Sequence, residues 1–148
     1  MIGPDDSSAK VLYEDPYVTV FLEEAGRLVH LVRSALQFPS IGALEQSYRA
    51  VIRVYDQLGR AGRNLLVDSR APTGRNDPEY ERAMFRLLPE LDRGFGRIGV
   101  LVETAVGKLQ FRRWHGIDGI ERIVSSDEAE LRRQLDSAGR RGRPEPQR

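Results

Sequence analysis

The stretch Asn64–Arg93, NLLVDSRAPTGRNDPEYERAMFRLLPELDR, constrains the fold of this chain more than any other. Leu65, Leu66 and Val67 form a short apolar run, with Gly62 and Arg63 before it and Asp68 and Ser69 after. A half-exposed strand would alternate apolar with polar residues, so an unbroken run suits a strand covered on both faces. Ser69 to Asn76 is a turn-forming cluster with Pro72 and Gly74 near its middle. Asp77-Pro78 then offers an N-cap followed by an N1 proline, and Glu79 stands in the first turn, where the helix dipole favours a negative charge. Met84, Leu87, Leu88 and Leu91 follow at helical spacing, with Tyr80 one turn earlier. A strand that opens at its carboxyl end into a polar loop above a helix N-terminus is where open α/β sheets bind ligands.

The flanking sequence repeats this grammar. Lys10–Tyr13 suits a short edge strand, and Tyr17–Glu23 and Arg27–Arg33 mirror one another across Glu24-Ala25-Gly26 as a β-hairpin. Ser40 caps a helix with an apolar stripe of Leu44, Tyr48, Val51, Tyr55 and Leu58, ended by Gly59 and Gly62. Ile98–Val102 is a second apolar run. Thr104–Trp114 reads as a short helix closed by Gly116, with Val106, Leu109 and Trp114 facing inward. Ile120–Val124 is a short strand, and Ser125-Ser126-Asp127-Glu128 offers a capping box for a last helix through about Asp136. Each strand–helix–strand step demands a parallel, right-handed crossover. The expected fold is therefore α/β, a mixed sheet of four or five strands with an N-terminal β-hairpin and about four helices. Residues 1–9 are expected to be a flexible start, 10–137 a single domain, and 138–148 a disordered basic tail with nothing apolar to bury beyond Ala138.

Composition then removes whole classes of function. A net charge of +1 over 148 residues gives no field that would draw the chain to nucleic acid or a membrane. The absence of cysteine excludes disulfides, thiolate chemistry and cysteine-ligated metal. No apolar run approaches the ~18 residues of a membrane helix, and Met1–Ser8 is acidic and polar, so a cytoplasmic location is the expectation. No HExxH spacing, P-loop or nucleophile elbow is present, and Gly94-Phe95-Gly96 precedes a strand where a dinucleotide fingerprint would follow one. His30 is expected to be a sheet-face histidine with one satisfied nitrogen. Glu23 and Glu24, on opposite faces of a strand, are expected to be solvated. His115, with Arg112 and Arg113, is expected to be a solvated basic helix end. No cofactor, no metal and no enzymatic activity are expected.

The element order resembles the STAS fold of bacterial anti-sigma-factor antagonists and anion-transporter tails, across roughly residues 10–137. The resemblance rests on the opening hairpin, NLLVDSR with its loop and helix, RIGVLVETAVGKLQFRR, and IERIVSSDEAELRRQL, and it is nearest to the divergent STAS-like proteins of unknown function. It implies a regulatory module that binds a protein partner, with homo-oligomerisation open. Regulatory antagonists carry an Asp-Ser pair at the start of the helix after the third strand, where phosphorylation switches binding. The matching helix start here is Gly74-Arg75-Asn76-Asp77-Pro78, without a hydroxyl, so no phosphorylation site is carried over to Ser69 or Thr73.

Parallel strands share a direction, so the loops after Asp68 and after Val102 emerge on one sheet edge. That gathers Arg70, Thr73, Arg75, Asn76, Thr104 and Lys108 near two helix N-termini, donors suited to an anionic ligand or to an acidic side chain of a partner. Two functions compete for this edge, a non-catalytic protein-binding module and a small-molecule, anion or lipid-headgroup site. A concave apolar pocket beneath the loop would favour the second, and a flat surface with exposed Tyr or Phe the first.

Overall fold

The computed structural model describes residues 9–73, 75 and 77–141, with side chains as far as residue 136. Among the described residues the strands are β1 (Lys10–Glu14), β2 (Val18–Glu23), β3 (Leu28–Arg33), β4 (Asn64–Asp68), β5 (Ile98–Leu101) and β6 (Ile123–Ser125). The helices are α1 (Ile41–Leu58), α2 (Pro78–Asp92), α3 (Ala105–Asp118) and α4 (Glu128–Arg141). One sheet carries the strands in chain order, β1-β2-β3-β4-β5-β6, antiparallel through β3 and parallel from β3 to β6. The sheet thus has six strands where four or five were expected, because Lys10–Glu14 pairs with β2 across a register shift between Val11 and Tyr13 and the short β6 pairs with β5. No helix among the described residues is long and apolar enough to cross a membrane.

Local chemistry sets the element ends. Ser40, Asp77 and Thr104 each accept a bond from the amide three residues on, at 3.0, 3.2 and 3.0 Å, and so cap α1, α2 and α3. Asp127 does the same for α4 through Glu130 N at 3.1 Å. Asp15 closes the β1–β2 turn by accepting from the amides of Tyr17 and Val18 at 2.7 and 2.9 Å, while the Ser47 hydroxyl ties it to α1 at 2.7 Å. The hairpin turn between β2 and β3 holds Glu24 and Ala25 at φ 55° and 56°, a region that costs a non-glycine residue about 1–2 kcal/mol.

The two sheet faces are covered unequally. Val29 and Leu31 on β3, Leu65 on β4 and Val100 on β5 face one way, into a large core with α1, α2 and α3. Leu28, Leu66 and Leu101 face the other way, onto Leu131 and Leu135 of α4. Three successive crossovers that move along the sheet in one direction with one hand place their helices on one face, which leaves the other face to α4. The last helix runs to Arg141, past the Asp136 end expected for it; residues 142–148 of the expected tail lie outside the described residues.

The expected inward face of α3 is corrected. Val106 and Leu109 are 74% and 63% exposed, the helix continues to Asp118 and is closed by Gly119, and Trp114 alone of the three is buried. Glu23 is also corrected, because it is three-quarters or more enclosed and bonded to His30 and Arg132.

Gly99 on β5 marks how closely α4 sits. A Cβ there would lie 2.9 Å from Leu131 Cδ1 and 3.0 Å from its Cγ. Gly99→Ala is expected to lower stability in urea by about 1–3 kcal/mol. In a Leu131→Ala background the same change should cost clearly less, and equal costs in both backgrounds would show that α4 is not seated on Gly99.

Candidate functional site

Between the sheet and helices α1, α2 and α3 lies a cavity of about 400 Å³. Well-packed interiors hold few voids larger than a water molecule, so a space of this size is a feature of the fold. Its rim is formed by exposed Ala71, Thr73, Glu103 and Thr104, at the carboxyl edge of the parallel strands. Its deep wall includes buried Tyr55, Leu91, Asp92 and Trp114, near the opposite ends of the same helices. Tyr48 and Tyr55 both line it from α1 and are seven residues apart, so the cavity extends at least about 10 Å along the helix. The rest of the wall is largely aliphatic and aromatic, contributed by residues such as Phe38, Val67, Met84, Leu88 and Val100.

The deep end carries polar atoms of two kinds. The Tyr55 hydroxyl is buried and has no hydrogen-bond partner. Burial and the charge of Asp92 push its ionisation well above the usual phenol range, so it is a neutral O–H. Asp92, by contrast, is held. Its Oδ2 accepts from Arg122 Nε at 2.7 Å, and Arg122 also donates from Nη2 to Asp118 at 2.8 Å, with its side chain fully enclosed. Burial raises the Asp92 pKa above its ordinary value, and the charge of Arg122 opposes that rise. This network joins the end of α2, the end of α3 and the approach to β6, and so closes the floor.

Nearer the rim stands Arg33, the last residue of β3 and only 6% exposed. Its Nε and Nη2 donate to the carbonyls of Tyr17 and Leu36, both at 3.1 Å, and its guanidinium lies 4.6 Å from the centre of the Phe38 ring. The buried Tyr48 phenol sits beside it; burial raises that phenol's pKa and Arg33 opposes the shift. Across the cavity Glu81 of α2 accepts from Gln110, Arg113 and Trp114 of α3, at 2.8, 2.8 and 3.4 Å, which holds α3 over the space.

Of the residues singled out in the sequence, Arg70, Thr73, Arg75 and Thr104 all line the cavity. Lys108 does not, and Asn76 lies outside the described residues. Each arginine already has carboxylate partners. Arg70 grips Asp68 through Nε and Nη2 at 2.9 and 2.7 Å and reaches Glu128 at 3.0 Å. Arg75 grips Asp77 at 2.9 and 3.0 Å and stacks 5.0 Å from the Tyr80 ring centre. The Thr73 carbonyl accepts from Gln37, and the Thr104 hydroxyl is spent on its cap. Sequence reasoning missed Arg33, Tyr48, Tyr55 and Asp92 as cavity residues. One signal for Arg33 was there, since it follows Val29 and Leu31 at the period-two spacing of the core-facing side.

The opposite sheet face carries a chain of charges beneath α4. His30 Nδ1 meets Glu23 at 2.8 Å, Glu23 meets Arg132 at 3.1 Å, Arg132 meets Glu128 at 2.9 Å, and Glu128 meets Arg70. His30 Nε2 is buried without a partner, so one ring nitrogen is satisfied, as expected. Among the described residues no group of three or more His, Asp or Glu is placed to hold a metal ion. Comparison of the chain with protein-family models, with curated proteins and with solved structures gave no match.

The charge chain makes a pH prediction. Burial pushes Glu23, Asp68 and Glu128 upward, but the bonds from His30, Arg70 and Arg132 outweigh it, so all three titrate below their ordinary values. Carboxylates depressed in the folded state contribute stability above their unfolded pKa and lose it as the pH falls through the folded one. The melting temperature should therefore fall between about pH 5 and about pH 2, and the Glu23→Gln/Glu128→Gln variant should fall less steeply over that window. Parallel curves for the two proteins would count against the network.

Proposed function

We propose that this chain is a non-catalytic binding protein that takes up a small, largely apolar molecule in the cavity between its sheet and α1–α3. The observation that carries the reading is the Tyr55 hydroxyl, buried in the cavity wall without a partner. A buried polar group left unpaired costs about 1–3 kcal/mol, and an occupant with an acceptor atom at its inner end would relieve that cost. The volume falls within the ~300–1,000 Å³ of small-molecule sites, and the wall has their usual composition of apolar groups with a few convergent polar ones. The rim lies at the carboxyl edge of the strands, where open α/β sheets receive ligands.

Trp114 supplies the readout, because it is the only tryptophan and lines the cavity. Titration with N-phenyl-1-naphthylamine, a neutral apolar fluorophore, should quench Trp114 and saturate at one probe per chain. Val100→Phe, which fills the wall, should weaken that binding at least tenfold. No saturable binding by the wild type would defeat the reading. Tyr55→Phe should stabilise the unliganded protein by about 1 kcal/mol, since it deletes an unpaired hydroxyl, while lowering affinity for occupants that carry an acceptor.

A second reading follows the STAS-like pattern, a regulatory module that binds a protein partner or another copy of itself across the Ser69–Asn76 loop edge. The exposed aliphatic residues Val106 and Leu109 on α3, beside the cavity rim, with Ile117 at the far end of that helix, support it. Leu109→Asp should then abolish partner capture, or self-association in sedimentation, while leaving fluorophore binding intact. The large exposed apolar side chains among the described residues are all aliphatic, so the Tyr or Phe expected of a protein-binding face is missing from this set and the cavity reading is preferred.

A further inference from the structure

Arg33 is a buried cation with no ion-pair partner among the described residues. The acids that act on the neighbouring Tyr48, Asp15 and Asp92, are engaged elsewhere. Asp15 accepts from Tyr13, Ser47 and two amides, and Asp92 is bonded by Arg122. The carbonyls of Tyr17 and Leu36 each take one N–H of Arg33, and the Phe38 ring covers its plane. Those contacts fix the guanidinium in place, but they do not neutralise it. A guanidinium has five N–H donors in a rigid fork, and an unneutralised charge held out of water is costly unless something pairs with it. Arg33 lines the cavity, with the Tyr48 phenol beside it.

We infer that the cavity's ligand is a monocarboxylate with an apolar chain or ring body, its carboxylate seated on Arg33 and the Tyr48 hydroxyl. This rests on the cavity reading and gives it a ligand class. Two points select the charge. Arg33 is a single cation, whereas Arg70 and Arg75 at the rim already hold Asp68, Glu128 and Asp77, so the site balances one negative charge. A doubly charged phosphate would exceed that one positive charge, and the exposed rim carboxylate Glu103 already adds a negative group to the cavity lining. The shape selects the body. The cavity runs inward from the Tyr48 level past aliphatic and aromatic wall to Tyr55, which suits a chain or ring longer than it is wide, with an acceptor atom at its far end for the Tyr55 hydroxyl. The Arg fork gives a carboxylate two parallel N–H···O bonds, so the pairing adds orientation as well as charge.

Displacement of N-phenyl-1-naphthylamine from the 148-residue chain tests this separately from the cavity itself, with dodecanoate, dodecanol and dodecyl phosphate as competitors. Dodecanoate should displace the probe at a concentration at least tenfold lower than dodecanol or dodecyl phosphate. Arg33→Met should erase that preference while still binding the probe. Tyr48→Phe, which leaves the Arg33 bonds to Tyr17 and Leu36 in place, should reduce the preference several-fold and covers the case in which Arg33→Met does not fold. Equal displacement by acid and alcohol, or a preference that survives in either variant at full size, would overturn the carboxylate assignment and leave the cavity reading standing. Tighter displacement by dodecyl phosphate would overturn the carboxylate as the class. Failure of the probe to bind wild type would instead remove the cavity reading, and this inference with it.

Discussion

Leu65 and Leu66 are neighbours in the chain, face opposite sides of the sheet, and expose none of their surface. A strand can bury both faces only where something covers each, and this requirement organises the rest of the molecule. Leu65 requires the α1–α3 layer and Leu66 requires α4. The three crossovers share one hand and direction, so they supply the first layer on their own, and the second must come from the chain that follows β6. Gly99 and Leu131 set the depth at which that last helix settles, and Arg132 ties it back to Glu23 on β2. The two layers are therefore unequal in kind. One is a single helix in close contact with the sheet, and the other is a three-helix roof with a space under it.

The parts of this arrangement that were legible in the sequence are those set by neighbours in the chain. Ser40 and Asp77 announced their helices because a cap is a contact over three residues. The hairpin around Glu24-Ala25-Gly26 and the apolar run of β4 were equally local. The parts that stayed hidden depend on distant partners. Glu23 looked like one of two solvated strand carboxylates, yet it bonds Arg132, 109 residues away. Val106 and Leu109 were expected to face inward, on the ordinary premise that a helix buries its aliphatic side. That premise fails for a helix that walls a cavity, where Gly107, Gln110, Phe111 and Trp114 line the space and the aliphatic residues are left outside. The candidate cavity residues were half legible for the same reason. Arg70, Thr73, Arg75 and Thr104 belong to loops that chain direction alone brings to one edge, whereas Arg33, Tyr48, Tyr55 and Asp92 meet only once the roof is in place.

Cavity walls and cores make opposite demands on side chains. A core is most stable when it is filled and has neither an unpaired polar atom nor an unneutralised charge; the Tyr55 hydroxyl breaks the first condition and Arg33, with no ion pair among the described residues, the second. Such departures are stability forgone, and they concentrate where a protein has another use for the residue. The surrounding polar groups show that the fold can satisfy buried charge when structure is the only demand. Arg122 is enclosed completely, and it is bonded by Asp92, by both Asp118 oxygens and by the Ile120 carbonyl. Arg33 in the cavity wall and Arg122 behind Asp92 at its floor thus receive different treatment.

That contrast also assigns roles to the rim arginines. Arg70 is drawn onto Asp68 and Glu128, and through Glu128 it joins the charge chain that fastens α4. Arg75 is drawn onto Asp77, which at the same time caps α2, and its carbonyl accepts from Gln110 of α3. Both therefore fix the loop that frames the cavity entrance, by ion pairs that are themselves partly exposed and individually weak. Their positive charge is offset on the spot, so they would not compete with an interior cation for an anion passing the rim. Charge selection then falls to Arg33 behind them, where lower polarity makes each electrostatic contact count for more than it would at the surface. A positioned entrance and one unneutralised cation behind it form a division of labour that follows from where the carboxylates lie.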